Sequence, residues 1–551
     1  MSDFINVSSA LAQANHHHPA FKASAILSFD RTGEINTAAE SVIHQAGLGN
    51  LLATWLLDNE SVTLETLTSA MGEMCRQDLA LGLGYCLTAF MAATNLAVAG
   101  NDEQKRTLAA LLSDDRRIAI AYHELQAGND LTAMTFKASK VEGGYLLSGC
   151  KEVVNNLARA HGLVLFADTG NDNPACRHSL FLLTQTELNQ KGVSIERRFD
   201  TLGVRNCHIS GIYFDRVFIA DSCLIGEQGR AGEYALKAFQ ITRTLLPAIS
   251  QFSARNGLEI LTRFAQNRVL YGDNLFAIPV YRKELAEATA DVWLAGEMAS
   301  LLRHALQAFP QFANGYSSAS KYFLPPLMKQ AIKSMGSLIG ARYYLMNDDF
   351  GMFEKLVRDF PVVSFGHAGS LVCQTSLVHM LPRLLAEKSQ SDASSILTAL
   401  NTSNTSWLSA LRLSCSKSDP LLSLLPTLTA RCRALFAQQA EWVSLLTDLE
   451  ALKTQCFDSL QQDIYGAATR YCKLIAAISV LRNITATDSQ DIHHALGFIT
   501  LWRLTRPMCD PSANTYYLSA ADTISHYLQD TDGDPLASLM FQPKANHSDN
   551  N

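Results

Sequence analysis

The 551-residue chain predicts a mostly helical α+β protein: an N-terminal helical domain, a central antiparallel β domain, a C-terminal helical bundle and an extra C-terminal helical extension. Two observations predict it. The hydrophobic period is helical to about residue 118, gives way to short strand-like runs up to about 222, and turns helical again from about 230 almost to the end. No helical pattern separates the strand-like runs, which favours antiparallel pairing over a parallel βαβ sheet. The resulting domains are 1–118, 119–227, 228–385 and 386–551.

Composition limits the function classes. Apolar residues make up 48% of the chain and charged residues 18%, the balance of a soluble globular protein. A formal net charge of −7 gives no electrostatic reason to expect nucleic acid or an acidic membrane as partner. The 12 cysteines are scattered and form no CxxC pair, so neither a zinc site nor a redox pair is expected. They read as reduced, buried thiols of a cytoplasmic protein. The N-terminus lacks the basic and apolar regions of a signal peptide, and His16, His17 and His18 read as a solvated end rather than a metal tract.

Each element has its own signal. Asn101 is an N-cap candidate followed by acidic first-turn residues, and Leu108, Leu111 and Leu112 then stack on one face. The apolar run 79–100 carries two early glycines and leads into "NDEQKR", which favours a buried helix over a stable membrane span. Strand candidates include "GGYLLSGCKEVVNN", "HGLVLFADTG", "RHSLFLLTQT" and "CHISGIYFDRVFI", separated by Gly, Asn and Asp turns. Residues 233–268 read as one long helix with Pro247 inside it as a kink. The polar stretch 387–395 reads as a linker, and 542–551 as a disordered tail.

Five stretches resemble the acyl-CoA dehydrogenase family, over roughly residues 40–385. The strongest is "LGVRNCHISGIYFDRVFIADSCLIGEQGRAG" (202–232), similar to the family's Leu-Gly-x-Arg, closing strand and Leu-Ile-Gly-x-x-Gly. "AIAYHELQAGND" (119–130) resembles Thr-Glu-Pro-Gly-Ala-Gly-Ser-Asp, with His123 at the Thr, Glu124 at the Glu, Gly128 at the second Gly, Asn129 at the Ser and Asp130 at the Asp. In "YLLSGCKEVVNNLARA" (145–160), Gly149, Lys151 and Asn156 fit the family pattern, while Val153 replaces an aromatic and Asn155 a Thr. "RVLYG" (268–272) is similar to Arg-x-x-Phe-Gly, although Pro279 stands where the family has Gln. "FEKLVRD" (353–359) resembles the segment that precedes the family's Tyr-Glu-Gly.

The resemblance implies an FAD enzyme that oxidises an acyl thioester at Cα–Cβ, because no side chain accepts a hydride. It implies that His123, Glu124, Gly128, Asn129, Val153 and Asn155 wrap the flavin ring, with small Ala127 and Gly128 bringing backbone amides close to it. Arg268 and Gly340, in "GSLIGAR", would hold the adenine half, usually from a neighbouring subunit, so a homodimer or homotetramer is expected. The substrate would be carried on coenzyme A or an acyl carrier protein, and an electron-transfer partner would reoxidise the flavin.

The family's catalytic Glu is absent. An ungapped register from Glu354 puts His367 there, and the alternative base position near Thr242 and Arg243 is not acidic. Three readings are open. His367 acts as the base, since imidazole titrates near neutrality. Alternatively the chain is a flavin-dependent monooxygenase on the same fold, with His123 a second candidate beside the ring. In the third reading the chain has lost the chemistry and serves as a binding protein. The family pattern puts dehydrogenation first.

Overall fold

Helix starts in the N-terminal part are set by short polar side chains. Thr63 accepts the amide of Thr66 to open the helix Leu64–Gln77, and Asp78 accepts the amide of Ala80 to open the next. Asn101 and Gln104 form a reciprocal capping box on the helix Asp102–Ser113, whose Leu108 and Leu112 are buried. The protein is described by a computed structural model covering residues 2–128, 130–346, 348–366, 368–386, 392–402, 404, 406–415, 417–486 and 489–540. It divides into two units, Met1–Ser253 with Met346–Ala368, and Ala254–Leu345 with Gly369–Asn551.

In the first unit the apolar run 79–99 is helical throughout, with one π turn at Leu83–Leu87. It is long and apolar enough to cross a bilayer, yet 89% of its most apolar window is buried. A side chain at Gly82 would strike the Cys75 sulfur, so a glycine is required for this close approach.

The sheet contains β1 (Arg117–Ala121), β2 (Lys137–Val141), β3 (Gly144–Asn155), β4 (Ala160–Asp168), β5 (His178–Thr184), β6 (Val193–Ile195), β7 (Ile209–Ala220) and β8 (Leu224–Ile225). Its order is β6-β7-β3-β2-β4-β5-β8, with β1 beside β4. Antiparallel pairing predominates, as the sequence predicts, but β1 and one end of β2 pair with β4 in parallel. The sheet is therefore mixed. The β2–β3 hairpin lies between β1 and β4 in the chain and serves as the crossover that a parallel neighbour needs. Along β7, Ile212, Phe214, Val217 and Ile219 are buried, while Tyr213, Asp215, Phe218 and Ala220 are exposed. The alternation slips at Arg216, whose φ is +51°, opposite the register shift next to Gly149.

The helix Ala231–Asn267 continues through Pro247 without a break in its span. In the second unit the helices Pro279–Ala308, Ala313–Ile339 and Ser370–Leu384 pack in sequence. The extension helices Ile464–Ile484, Asp491–Thr505 and Thr515–Gln529 all pack on Pro279–Ala308. Asp419 accepts the hydroxyls of Tyr316 and Tyr471, each at 2.7 Å, and Arg503 pairs with Asp291 and Glu287. Of the expected linker, 387–391 lie outside the described residues, and Asp392 caps a helix over Ala393–Leu400. The expected disordered tail also lies outside them.

One buried charge cluster ties the first unit together. The Lys355 ammonium lies 2.6 Å from Asp78 and 2.6 Å from Asp359, and all three side chains are at most 3% exposed. Asp359 also accepts the Val204 amide at 2.6 Å. Burial opposes the ammonium, but Asp359 and Asp78 raise its pKa well above the ordinary lysine value. Lys355→Met leaves two carboxylates buried without their cation. It should destabilise the protein by about 3–5 kcal/mol in chemical denaturation, against less than about 0.5 kcal/mol for Lys329→Met on the surface.

Candidate functional site

A cavity of about 560 Å³ opens in the first unit. Three stretches far apart in sequence line it: loop 123–128, the end of β3 at Val153 and Asn155, and residues 358–366. Leu79, Leu83, Leu87 and Met91 supply an apolar wall, and residues 201–204 close another side. The volume and the apolar lining suit a small-molecule site.

The wall is held in strained backbone. Val153 and Val204 line the cavity with φ of +57° and +48°, in the left-handed region where a β-branched residue is an outlier. At Val153 the β3–β7 register shifts between Lys151 and Val154, which turns its side chain out of the sheet pattern and leaves it 41% exposed. At Val204 the Asp359 carboxylate grips the amide, and a side chain on neighbouring Gly203 would overlap the Arg358 carbonyl. Such strain persists only where surrounding contacts over-determine it, and it concentrates at functional sites.

Asn155 and Asn156 serve the same wall from behind. Asn155 Nδ2 donates to the Leu83 carbonyl at 3.3 Å and to Thr88 Oγ1 at 2.8 Å, and Asn156 Nδ2 donates to the Gly84 carbonyl. These carbonyls belong to the π turn, whose longer repeat re-aims Leu83 and Leu87. Asn155 Oδ1 accepts the Asn156 amide. The side chain expected to touch a cofactor thus holds a helix turn in place.

Glu124 is buried and has four donors. Oε1 takes Lys151 Nζ at 2.8 Å and the Phe136 amide at 3.0 Å, and Oε2 takes the amide and hydroxyl of Thr135, each at 2.8 Å. Burial opposes its charge, yet Lys151 and the amides hold its pKa below the ordinary glutamate value. The Lys151 side chain is fully buried, and burial lowers its pKa to about 8 despite Glu124. The amides of Ala127 and Gly128, expected to face a cofactor, both donate to the Glu124 carbonyl at 3.1 Å and close the turn. Gly128 has φ +58° with open space around it, so backbone conformation requires the glycine there. His123 lines the cavity with Nδ1 3.4 Å from the Gly128 carbonyl.

His123, Glu124, Gly128, Val153 and Asn155 therefore meet at one cavity. Arg268 and Gly340 belong to the second unit and do not line it. Arg268 directly follows the long helix, and Gly340 has φ +69° at the end of the helix Ala313–Ile339. Arg342 lies over the Phe264 ring at 5.9 Å, which brings these two ends together within that unit. Asn129 and His367 lie outside the described residues. Sequence reading did not single out Leu83, Met91, Lys355 or Asp359. The Gly82 and Gly84 pair inside an apolar helix was the one available signal for the π turn.

Residues 119–217 match the model of the acyl-CoA dehydrogenase middle domain, and residues 230–380 match the acyl-CoA dehydrogenase C-terminal domain. The chain belongs to the acyl-CoA dehydrogenase family. It is 28% identical over 204 residues to mitochondrial isovaleryl-CoA dehydrogenase of Solanum tuberosum, covering 37% of this chain and 49% of that protein. It is 26% identical over 297 residues to an acyl-CoA dehydrogenase of Bacillus subtilis, covering 53% of this chain and 76% of that protein. The chain spans about half the length of the plant relatives it matches. Among solved structures, an acyl-CoA dehydrogenase complexed with FAD from Bacillus anthracis aligns with a TM-score of 0.68 at 16% identity, covering 98% of this chain and 90% of that one. Butyryl-CoA dehydrogenase from Megasphaera elsdenii aligns with a TM-score of 0.63 at 16% identity, covering 69% and 98%. The acyl-CoA dehydrogenase fold accounts for the order of helices, sheet and bundle, and the B. anthracis structure extends the likeness through the C-terminal helices.

Two expectations follow from the geometry of this family member. Asn155→Ala removes two donors behind the π turn and should lower stability by about 1–2 kcal/mol in chemical denaturation. Glu124→Gln leaves the Lys151 ammonium buried without its counter-charge and should cost about 3–5 kcal/mol. In the parent protein the Glu124 contribution is complete above the ordinary glutamate pKa. It is lost as pH falls through the depressed folded value, so a denaturation series below neutral pH should be steeper for the parent than for Glu124→Gln.

Proposed function

We propose that this chain is an FAD-dependent oxidoreductase that dehydrogenates an acyl thioester between Cα and Cβ. The observation that carries this reading is the convergence on one cavity of loop 123–128, the Val153 bulge and segment 358–366, three stretches that resemble the family's site segments. The donor set fits the ring of a flavin. A flat aromatic ring needs apolar faces, which Leu83, Leu87, Met91 and Val153 supply, and a few polar groups at its edge, which loop 123–128 supplies. The Arg358 guanidinium is engaged by Asp30 and Glu354, so the phosphates of the dinucleotide require a cation from elsewhere. Arg268 is the residue we assign to them, with Gly340 allowing close approach of the adenine half. Contributed across a homo-oligomer, Arg268 would complete the site.

Bound FAD supplies the acceptor for the β-hydride. The chain's own part is to position the thioester, exclude water and accept the α-proton. Apolar residues of the π-turn helix hold an acyl chain, and the Lys355 cluster keeps loop 201–204 closed on it. The register gives His367 the place of the family's carboxylate base. The thioester is carried by coenzyme A or by an acyl carrier protein, and a soluble electron carrier reoxidises the flavin. Among the structural relatives are an electron transferring flavoprotein and a prolyl acyl carrier protein oxidase.

The purified protein should bind FAD through gel filtration, and anaerobic isovaleryl-CoA, butyryl-CoA or the corresponding carrier-protein thioesters should bleach its visible band. Failure to bind oxidised or reduced FAD would overturn the reading. Arg268→Ala should weaken FAD retention at least tenfold, read by the flavin released on dilution, while leaving the fold intact by circular dichroism.

A further inference from the structure

Four ionisable side chains line the cavity among the described residues: His123, Glu124, Arg358 and Asp359. Three have their strong partners in place. The Glu124 oxygens share four donors, as described above. Asp359 gives one oxygen to the Val204 amide and the other to Lys355. Arg358 is held by Asp30 and Glu354. None of the three can take up a proton, or release one, without breaking a buried ion pair.

His123 is different. Its Nδ1 faces the Gly128 carbonyl at 3.4 Å, which only an N–H satisfies. That contact selects the Nδ1–H tautomer and leaves the lone pair on Nε2. Nε2 has no hydrogen-bond partner among the described residues. The backbone at this residue is fixed, because its carbonyl accepts the Glu152 amide at 3.0 Å. The Gly128 carbonyl is fixed too, because the Glu124 carbonyl closes the turn that carries it.

We propose that His123 is a catalytic base of this chain, its Nε2 taking the α-proton of the bound acyl thioester. This rests on the dehydrogenase reading above, with the flavin as two-electron oxidant. The α-C–H bond breaks and an Nε2–H bond forms. The electron pair stays on the α-carbon and spreads to the thioester oxygen as an enolate, which expels the β-hydride as the double bond forms. Burial and the nearby Lys151 charge lower the imidazole pKa, against the Gly128 contact, so the ring is neutral and ready to accept a proton at neutral pH. The charged groups around it are Lys151, Glu124, Arg358 and Asp359, with Glu152 engaged by the Leu125 amide. A base already in place explains how a chain without the family's carboxylate retains acid–base chemistry, and makes His367 dispensable for proton removal.

The test uses acetoacetyl-CoA, whose C2 proton is acidic and whose enolate absorbs in the near ultraviolet. Enolate formation needs no oxidant and no turnover, so it is read on the full chain with and without FAD. The parent protein should bind this probe as its enolate. His123→Gln should bind it with similar affinity and lose the enolate band, and free imidazole should restore the band in His123→Ala. His367→Gln should keep the band. Circular dichroism and flavin retention verify that each variant is folded. A band that survives in His123→Gln, or one that is lost only in His367→Gln, overturns the proposal. Absence of the band in the folded parent also overturns it. If no FAD binds but the enolate still forms at His123, the dehydrogenase reading fails and the base assignment stands.

Discussion

The site depends on a lysine placed between two carboxylates where water does not reach. Lys355 joins the start of the apolar helix at Asp78 to the turn at Asp359, and Asp359 reaches across to the Val204 amide. Three segments distant in sequence are thus fixed by one ammonium group. Taking these charges out of water is costly, and a well-packed apolar cluster could be equally stable. An apolar cluster would not fix direction. Hydrogen bonds from a buried charge set angles as well as distances, and the backbone gripped here lines the cavity.

Strain and charge are linked in this wall. Val153 and Val204 sit in backbone conformations that glycine would adopt at lower cost, and each is held from outside. The Asp359 carboxylate holds Val204, and the pairing of β3 with β7 resumes directly after Val153. Asn155 and Asn156 then carry the geometry of that strand end into the π turn of a neighbouring helix. The cavity is bounded by elements that constrain one another, which suits a site that must hold a substrate within a fraction of an ångström.

Much of the fold was legible in the sequence. The switches of hydrophobic period gave the order of helices and sheet, Asn101 announced its helix, and the "LGVR" stretch marked a loop that lines the cavity. What stayed hidden has physical causes. The parallel pairing of β1 is a long-range choice that local periodicity does not record. A π turn keeps a helical pattern of apolar residues, so only its glycines betray it. Asn155 was recognised as a site residue, but direction depends on tertiary neighbours, and its amide turns toward Leu83 and Thr88. The amides of Ala127 and Gly128 were expected to face a ligand, and a local turn claims them instead. Lys355 and Asp359 looked like ordinary members of a charged helix because burial is not written in residue type.

The helices after residue 385 have a further meaning. From Ala288 to Arg303 every residue of the helix Pro279–Ala308 is buried, including Trp293, whose indole N–H donates to the Leu539 carbonyl. That helix has no solvent face, because the extension occupies the side it would otherwise show to water. The extension is a structural half of the bundle. Cutting the chain back to the family-matched region would uncover a strip of tryptophan, valine and leucine around Asp291 and Glu297, so a minimal catalytic fragment should be sought by resurfacing this helix before any truncation.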